Sequence, residues 1–555
     1  MHRPRPSLLT AFVVSAMLVH FANGSLQHRE EEPVLMNLDA FLPHAQEPSS
    51  PPAAAANRLA GGAPAVAASS PAAPPSSRIP DLLASILANA PPPTGTRERG
   101  SQAPQRYIVM LQPNMTQSDV QAHLDWLKSQ LSSVIPANSA ANALVDRYAG
   151  VLTSWQSTNG YAAHVPAWLV DQIKLRAGVH AVEPDVYLTH MGDMSENPSS
   201  DSGNSNAASD VAPDAITATA PVAPTTGAIQ VTAAGLLATS AEKTTAQALP
   251  PWGLDRISHR ESGFQGLYIF PPNGGENVDI YVLDTGVYAM HPDFEGRARI
   301  GTSFSPDGSV DGHGHGTHVS GTAASKTYGV AKKANVIGVK VLDNDGKGLV
   351  SQVISGLDWV LTEIGKKNAT TGATRRSVVN MSLGGAGQST ALNALVSRLV
   401  QAGVPIAVAA GNDNVDACTN SPADSALAMT VGASTMTDSR ATFSNYGPCV
   451  NIFGPGSNIT STYIPPASTH VLSGTSMATP HVAGLMATLL SQYPAATPAD
   501  VYSTLDTLAT PNMVADANTP TAKLLFSGLD NQPYDGLVKA KKNFPWMVWD
   551  LVRSI

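Results

Sequence analysis

VIGVKVL at residues 336–342, VSQVISGLDWVLTEI at 350–364 and SVVNM at 377–381 follow one another along the chain and decide its fold. The outer two are apolar runs of strand length, as expected of strands buried on both faces. Between them Val350, Val353, Ile354, Leu357, Leu361 and Ile364 recur at three-to-four spacing, which marks a helix with one apolar stripe. The strand–helix–strand unit then repeats. Val278–Leu283 precedes it as another strand, Ile406–Ala410 follows it, and Leu392, Leu395, Val396, Leu399 and Val400 supply the helix before that last strand. This alternation predicts an α/β domain over about 249–528, with a mainly parallel sheet covered by helices on both faces.

Upstream, 191–248 has no aromatic residue or cysteine and is rich in Ala, Thr, Ser and Pro, so it reads as a low-complexity linker. Residues 106–190 read as a small folded α+β domain. Its expected strands are Arg106–Leu111, Gly160–Val165 and Val179–Leu188, and its expected helices are Gln117–Leu131 and Ala167–Ala177. Residues 25–105 are dominated by Ala, Pro and Ser, with Phe41 the only aromatic. That composition buries too little apolar surface to offset the entropy of ordering, so disorder is expected apart from a short helix at Ile79–Ala90. Residues 1–24 combine a basic start (His2, Arg3, Arg5), the apolar run Leu8–Val19 and small residues at Ala22 and Gly24, the make-up of a signal peptide. No later stretch approaches the roughly 20 apolar residues of a membrane span. Residues 529–555 form a carboxyl-terminal tail.

A formal charge of −9, spread rather than blocked, gives no reason to expect a nucleic-acid partner. The only cysteines are Cys418 and Cys449. In a chain that enters the secretory route, an isolated pair points to one disulfide, with two buried thiols as the alternative.

Three segments each place one reactive residue at an edge of the framework. In Val282-Leu283-Asp284-Thr285-Gly286, Asp284 closes a buried strand, where an unpartnered carboxylate is costly and a histidine N–H is a natural partner. In Asp311-Gly312-His313-Gly314-His315-Gly316-Thr317-His318, glycines flank His315 as at a loop-to-helix junction whose ring must be closely approached. A metal site would want a further carboxylate or histidine at helical spacing, and none follows. In Gly474-Thr475-Ser476-Met477-Ala478-Thr479-Pro480-His481, Ser476 opens an amphipathic helix, where free N–H groups and the dipole favour negative charge. Pro480 is tolerable there because it removes only the bond to the Ser476 carbonyl. Taken alone, each segment also fits a turn or a cap.

The three together, in the order Asp, His, Ser, closely resemble the subtilisin-like serine peptidases, especially the proteinase K branch. Trp252–Ile257, Val282–Val287, His315–Thr322, Asn380–Gly385, Ala409–Asn412, Phe443–Gly447 and Gly474–Gly484 carry the resemblance. It implies an endopeptidase, secreted or alternatively kept in a vacuole or other lytic compartment, that works through an acyl-enzyme on Ser476, with His315 as acid–base and Asp284 as its orienting partner. Asn412 would be the oxyanion donor. Gly346, Lys347 and Gly348 on one side, and Ser382, Leu383 and Gly384 on the other, would flank a peptide substrate bound as an added strand. The primary pocket would lie between Ser382–Gly384 and Ala409, Ala410 and Gly411. These small uncharged residues suit an apolar or aromatic side chain and broad specificity.

Residues 106–190 resemble the inhibitory propeptide of these enzymes in Arg106-Tyr107-Ile108-Val109, Gly160-Tyr161-Ala162 and Val182-Glu183-Pro184-Asp185. The implied partners are protein or peptide substrates and the chain's own propeptide, with no nucleic acid or membrane, and a monomer is expected. Some relatives join cysteines at the positions of Cys418 and Cys449. No cofactor is required for catalysis. A structural calcium would draw on carbonyls near Ala426 and Ala428 and on Asn451, where an amide stands in for a carboxylate and weakens a hard-cation site. The connector to Trp252 is far longer than in relatives, which leaves the maturation bond open within 191–250.

Overall fold

Residues 105–133, 150–191, 244–371, 376–530 and 534–538 are described in a computed structural model of the chain. The amino-terminal domain runs β1 (Gln105–Leu111), α1 (Gln117–Ser133), β2 (Gly150–Trp155), β3 (Gly160–Val165), α2 (Ala167–Lys174) and β4 (Val179–Pro184). Its strands make one sheet in the order β2-β3-β1-β4, with β1 antiparallel to both neighbours. Successive side chains of a strand point to opposite faces. Val109 and Leu111 therefore pack with Leu127, Leu131, Leu169 and Ile173 of the two helices. Ile108 and Met110, joined by Trp155, face the other way into the core of the large domain.

The strand expected over Val179–Leu188 is two strands. β4 ends at Pro184, which has no N–H to continue a ladder, and β5 (Tyr187–His190) crosses to a different sheet.

The large domain begins with β6 (Thr244–Ala248), α3 (Trp252–Ser258) and β7 (Leu267–Phe270). Its central elements follow as β8 (Val278–Asp284), β9 (Ala298–Ser303), α4 (His315–Ala324), β10 (Asn335–Lys340), β11 (Lys347–Leu349), α5 (Val350–Thr371) and β12 (Arg376–Met381). Then come β13 (Leu383–Ala386), α6 (Thr390–Gln401), β14 (Ile406–Ala409), β15 (Asn420–Ser421), β16 (Met429–Ser434) and β17 (Ile452–Pro455). The hairpin β18 (Ile459–Tyr463) and β19 (Ser468–Leu472), the helices α7 (Thr475–Gln492) and α8 (Pro498–Leu508), and β20 (Tyr534–Val538) follow among the described residues.

Seven strands form the central sheet in the order β17-β16-β14-β12-β8-β10-β9, every pairing parallel. Both faces are covered, as the apolar runs require. Val278, Ile280 and Val282 of β8 pack with Val319 of α4 and Val482 and Met486 of α7. Tyr281 and Leu283, one residue out of phase, pack with Val353 and Leu357 of α5 and Leu395 and Leu399 of α6.

Two expectations need correcting at their edges. The stretch read as linker, 191–248, contributes β6, which pairs with β7 and β20. β20 in turn comes from the stretch read as a tail, 529–555. β6 (TTAQA) is made of small residues without the apolar run that marks a buried strand, and Asp535 and Gly536 interrupt β20 (YDGLV), so composition alone missed both. The signal peptide, the Ala/Pro/Ser-rich segment with its short helix, and linker residues 192–243 lie outside the described residues. Among the described residues no helix is long and apolar enough to cross a membrane.

Candidate active site

β8 delivers Asp284 to the carboxyl edge of the parallel sheet, where α4 and α7 also begin. Asp284 is fully buried, and its Oδ1 accepts the Nδ1–H of His315 at 2.7 Å and the Thr285 amide at 2.7 Å. A carboxylate only accepts, so this contact fixes Nδ1 as the protonated nitrogen of a neutral His315 and leaves Nε2 as the basic one. Burial pushes the Asp284 carboxyl up to about 7, and the Thr285 amide pulls it back.

The glycines around His315 act as their pattern suggests. Gly314 has φ 97° at the helix start, and a Cβ there would meet the Tyr463 ring at 2.5 Å. A Cβ on Gly316 would lie 2.1 Å from the Gly286 carbonyl. The backbone after Asp284 can therefore press directly against the turn that carries His315.

Asp311, which the sequence reading passed over, ties these pieces together. Its Oδ1 accepts from the Thr285 hydroxyl (2.9 Å) and the Gly314 amide (2.8 Å), and its Oδ2 from the Thr317 amide (2.9 Å). An aspartate just ahead of a glycine-flanked histidine was the available signal. His318 sits one turn on, with Nε2 donating to the Ile459 and His470 carbonyls, and burial lowers its pKa to about 3. It is thus a neutral structural group. His313 lies beside the cleft, its ring 6.2 Å from that of His315.

Ser476 opens α7 and is fully buried. Its hydroxyl donates to the Ser382 carbonyl at 2.9 Å, and the Ser382 hydroxyl donates to the Ser476 carbonyl at 2.8 Å. The second bond satisfies the acceptor that Pro480 cannot serve. Asn412, just beyond β14, accepts at Oδ1 from the Thr475 amide (2.9 Å) and hydroxyl (2.8 Å). Its Nδ2 is thereby the end left to donate. Thr475 was not singled out from the sequence, because nothing in its own segment reveals a partner 63 residues away.

Lys347, Gly348 and Leu349 of β11 and Leu383 and Gly384 of β13 form the two walls of a cleft. β5 of the amino-terminal domain fills it, antiparallel to both. His190 donates its N–H to the Gly346 carbonyl at 3.0 Å. Met191 donates to the Ser382 carbonyl at 3.2 Å and accepts the Ser476 N–H at 3.0 Å. Two carboxylates anchor the intruding segment. Asp185 accepts from the Ser351 amide (2.9 Å) and hydroxyl (2.7 Å) at the start of α5, and from Arg106 (3.0 Å). Glu183 accepts from the Ser389 hydroxyl (2.5 Å) and the Thr390 amide (3.0 Å) at the start of α6. Both exploit the unpaired N–H groups and positive end of a helix.

Ala409, Ala410 and Gly411 are buried at the end of β14, and Gly411 adopts φ 107° with the Asn445 amide against it. Cys418 and Cys449 are joined in a disulfide. The Asn451 amide oxygen accepts the Thr430 N–H at 2.7 Å. No cluster of three His, Cys, Asp or Glu side chains suited to a metal occurs among the described residues.

Comparison with known proteins matches residues 275–528 to the subtilase family and residues 106–191 to the peptidase inhibitor I9 family. A subtilisin-like protease of Coccidioides posadasii is 36% identical over 83% of this chain and 88% of its own length. The subtilisin-like serine protease Pen c 2 of Penicillium citrinum is 37% identical over 81% of this chain and 93% of its own. A cuticle-degrading protease of Metarhizium anisopliae is 49% identical over 51% of this chain and 71% of its own. The chain belongs to the subtilase family of serine endopeptidases and carries an inhibitory propeptide domain ahead of its catalytic domain.

Proposed function

We propose that Asp284, His315 and Ser476 are the catalytic triad of a secreted endopeptidase of broad specificity. The observation that carries this reading is a peptide carbonyl, that of Met191, on the N–H of Ser476, in a strand inserted between β11 and β13. A substrate bound in the same way would present its reacting carbonyl to the same donor. Rotation about its Cα–Cβ bond carries the Ser476 Oγ from the Ser382 carbonyl toward His315 Nε2, which takes the proton as Oγ attacks. Asp284 holds the imidazole and stabilises the imidazolium, and His315 then returns the proton to the leaving amine. The Asn412 Nδ2 and the Ser476 N–H receive the oxyanion. These side chains supply nucleophile, base and oxyanion donors, so no cofactor enters a step. Gly384, Ala409, Ala410 and Gly411 shape an uncharged primary pocket for an apolar side chain.

Secretion to the extracellular space is supported by the basic-then-apolar start of the sequence and the cysteine pair. A serine-directed phosphonylating reagent tests the catalytic reading. It should add one equivalent at Ser476 in the processed protein and abolish peptide hydrolysis in parallel. Modification of another serine, or full activity after modification, would sink it.

A further inference from the structure

Lys340 ends β10 with its side chain fully buried, where an ammonium is costly unless its charge is met. It is the register partner of Asp284 in the parallel pair of β8 and β10. Val336 of β10 and Val282 of β8 pack in the core that α4 and α7 cover, so by alternation Lys340 and Asp284 point to that same face.

The Lys340 Nζ donates to the Thr285 carbonyl at 2.7 Å and to the Asn344 Oδ1 at 3.0 Å. The next two amides of the chain, those of Val341 and Leu342, donate to the Asp284 carbonyl at 2.9 and 3.2 Å. The end of β10 therefore holds two successive carbonyls of the turn that carries the triad carboxylate. Thr285 is committed at its other polar atoms as well. Its amide donates to Asp284 Oδ1, and its hydroxyl donates to Asp311 and accepts the Gly316 N–H at 2.9 Å. Asn344 is pressed against the histidine-bearing loop, where a Cβ on Gly312 would meet its side chain at 2.6 Å.

Charge points the same way as geometry. Asp284 and Asp311 are both buried, and after burial itself Asp311 is a group that pushes the Asp284 carboxyl up. His190 and His313 pull it down, but His190 belongs to the inhibitor domain and leaves with it. Burial pulls the Lys340 ammonium below its ordinary value, and Asp311 first, then Asp307, Asp284 and Asp343, raise it again. That attraction is mutual, so the ammonium favours the ionised form of each carboxylate.

We propose that Lys340 is a positioning residue of the catalytic centre: clamped on the Thr285 carbonyl, its ammonium fixes the turn behind Asp284 and supplies the positive charge that keeps Asp284 ionised beside Asp311. The proposal rests on the triad assigned above, and Lys340 acts through Asp284 rather than on substrate. The same charge makes a proton on His315 more costly. Its loss therefore favours the protonated, inactive form of both groups.

The test is the pH profile of turnover in the processed protein, from which His190 is gone, with processing carried out in alkaline buffer above the acid limb. Lys340→Met should move that limb up by about one pH unit. Turnover on the acid side should fall by about tenfold, with the Michaelis constant little changed. Lys340→Arg keeps the charge, so its limb should stay with the parent's even if a poorer fit lowers the plateau. Asn344 is exposed, and Asn344→Asp still offers Nζ an acceptor. Its new carboxylate offsets the ammonium and should raise the limb by roughly half a unit, which a purely structural role for Lys340 would not do. A Lys340→Met limb in the parent's position, or an arginine limb displaced as far as the methionine one, would overturn the role of the charge. Should Lys340→Met not be recovered in processed form, Asn344→Asp decides, and an unmoved limb there overturns the proposal. Labelling keeps the two levels apart. A parent not phosphonylated at Ser476 would fail the triad itself, whereas a labelled parent whose variants show unmoved limbs fails only Lys340.

Discussion

The inhibitor domain and the catalytic body each bury a β-sheet, but they obtain the cover differently. In the body, β8 sends Val278, Ile280 and Val282 to one face and Tyr281 and Leu283 to the other, and helices of the body itself cover both. In the inhibitor domain only one face is covered from within, where Val109 and Leu111 meet α1 and α2. Ile108, Met110 and Trp155 on the other face are buried against the body, and the Trp155 indole donates to the Ser355 hydroxyl of α5 at 2.9 Å. Burying a side chain of this size contributes about 1.5–3 kcal/mol, so the inhibitor domain loses part of its own core whenever it leaves the enzyme. The body loses less, because its two-layered core is internal. A tight but removable inhibitor follows from that asymmetry.

The largest expected effect falls on the body alone. Ser476→Ala should lower turnover on the order of 10⁶-fold while the inhibitor contacts persist, because none of the anchoring bonds of Glu183, Asp185 and Trp155 uses the Ser476 hydroxyl. Peptide hydrolysis surviving in this variant would mean that a second nucleophile serves His315.

Trp155→Ala probes the shared face directly. A loss of about 3–5 kcal/mol should show in the hold of the inhibitor on the enzyme, with the melting of the released catalytic body unchanged because that body no longer contains residue 155. An inhibition constant equal to that of the parent would remove the asymmetry.

Asn412→Ala should lower turnover by about 10²–10³-fold with little change in the Michaelis constant, since the lost donor acts on charge present only in the transition state. An effect confined to the Michaelis constant would make Asn412 a binding residue.

The smallest expected effect is on pH dependence. The Asp284 carboxyl is raised to about 7, so it is ionised above that value and protonated below it. Turnover should therefore rise from acid to neutral pH and level off above, with about a tenth of the plateau left one pH unit below the midpoint. An acid limb below pH 5 in the rate profile would mean that burial does not govern this carboxylate.

Much of this was legible in the residues. Apolar runs such as Val278–Leu283 announced the central strands, because a strand covered on both faces has no polar position to spare. Glycines around His315 and the helix start at Ser476 announced the geometry of the reactive groups. The strand over Val179–Leu188 was legible as extended chain but not as two strands. Its division at Pro184 serves Glu183 and Asp185, whose partners at Ser389, Thr390 and Ser351 lie more than 160 residues away. Thr475 was missed because its partner Asn412 lies 63 residues away, whereas Asp311, bonded to Gly314 and Thr317 within the next turn of chain, had a local signal in the glycine-flanked histidine beside it. What the sequence determined by itself was the local periodicity, the turn chemistry and the kinds of reactive groups, since these depend on neighbours along the chain. Only the tertiary structure decided that β5 lies between β11 and β13, that β6 and β20 complete a sheet, and that Met191 is the residue on Ser476. Those depend on which distant backbone groups remain unpaired, and hydrogen bonds between remote segments leave no mark on the spacing of side chains.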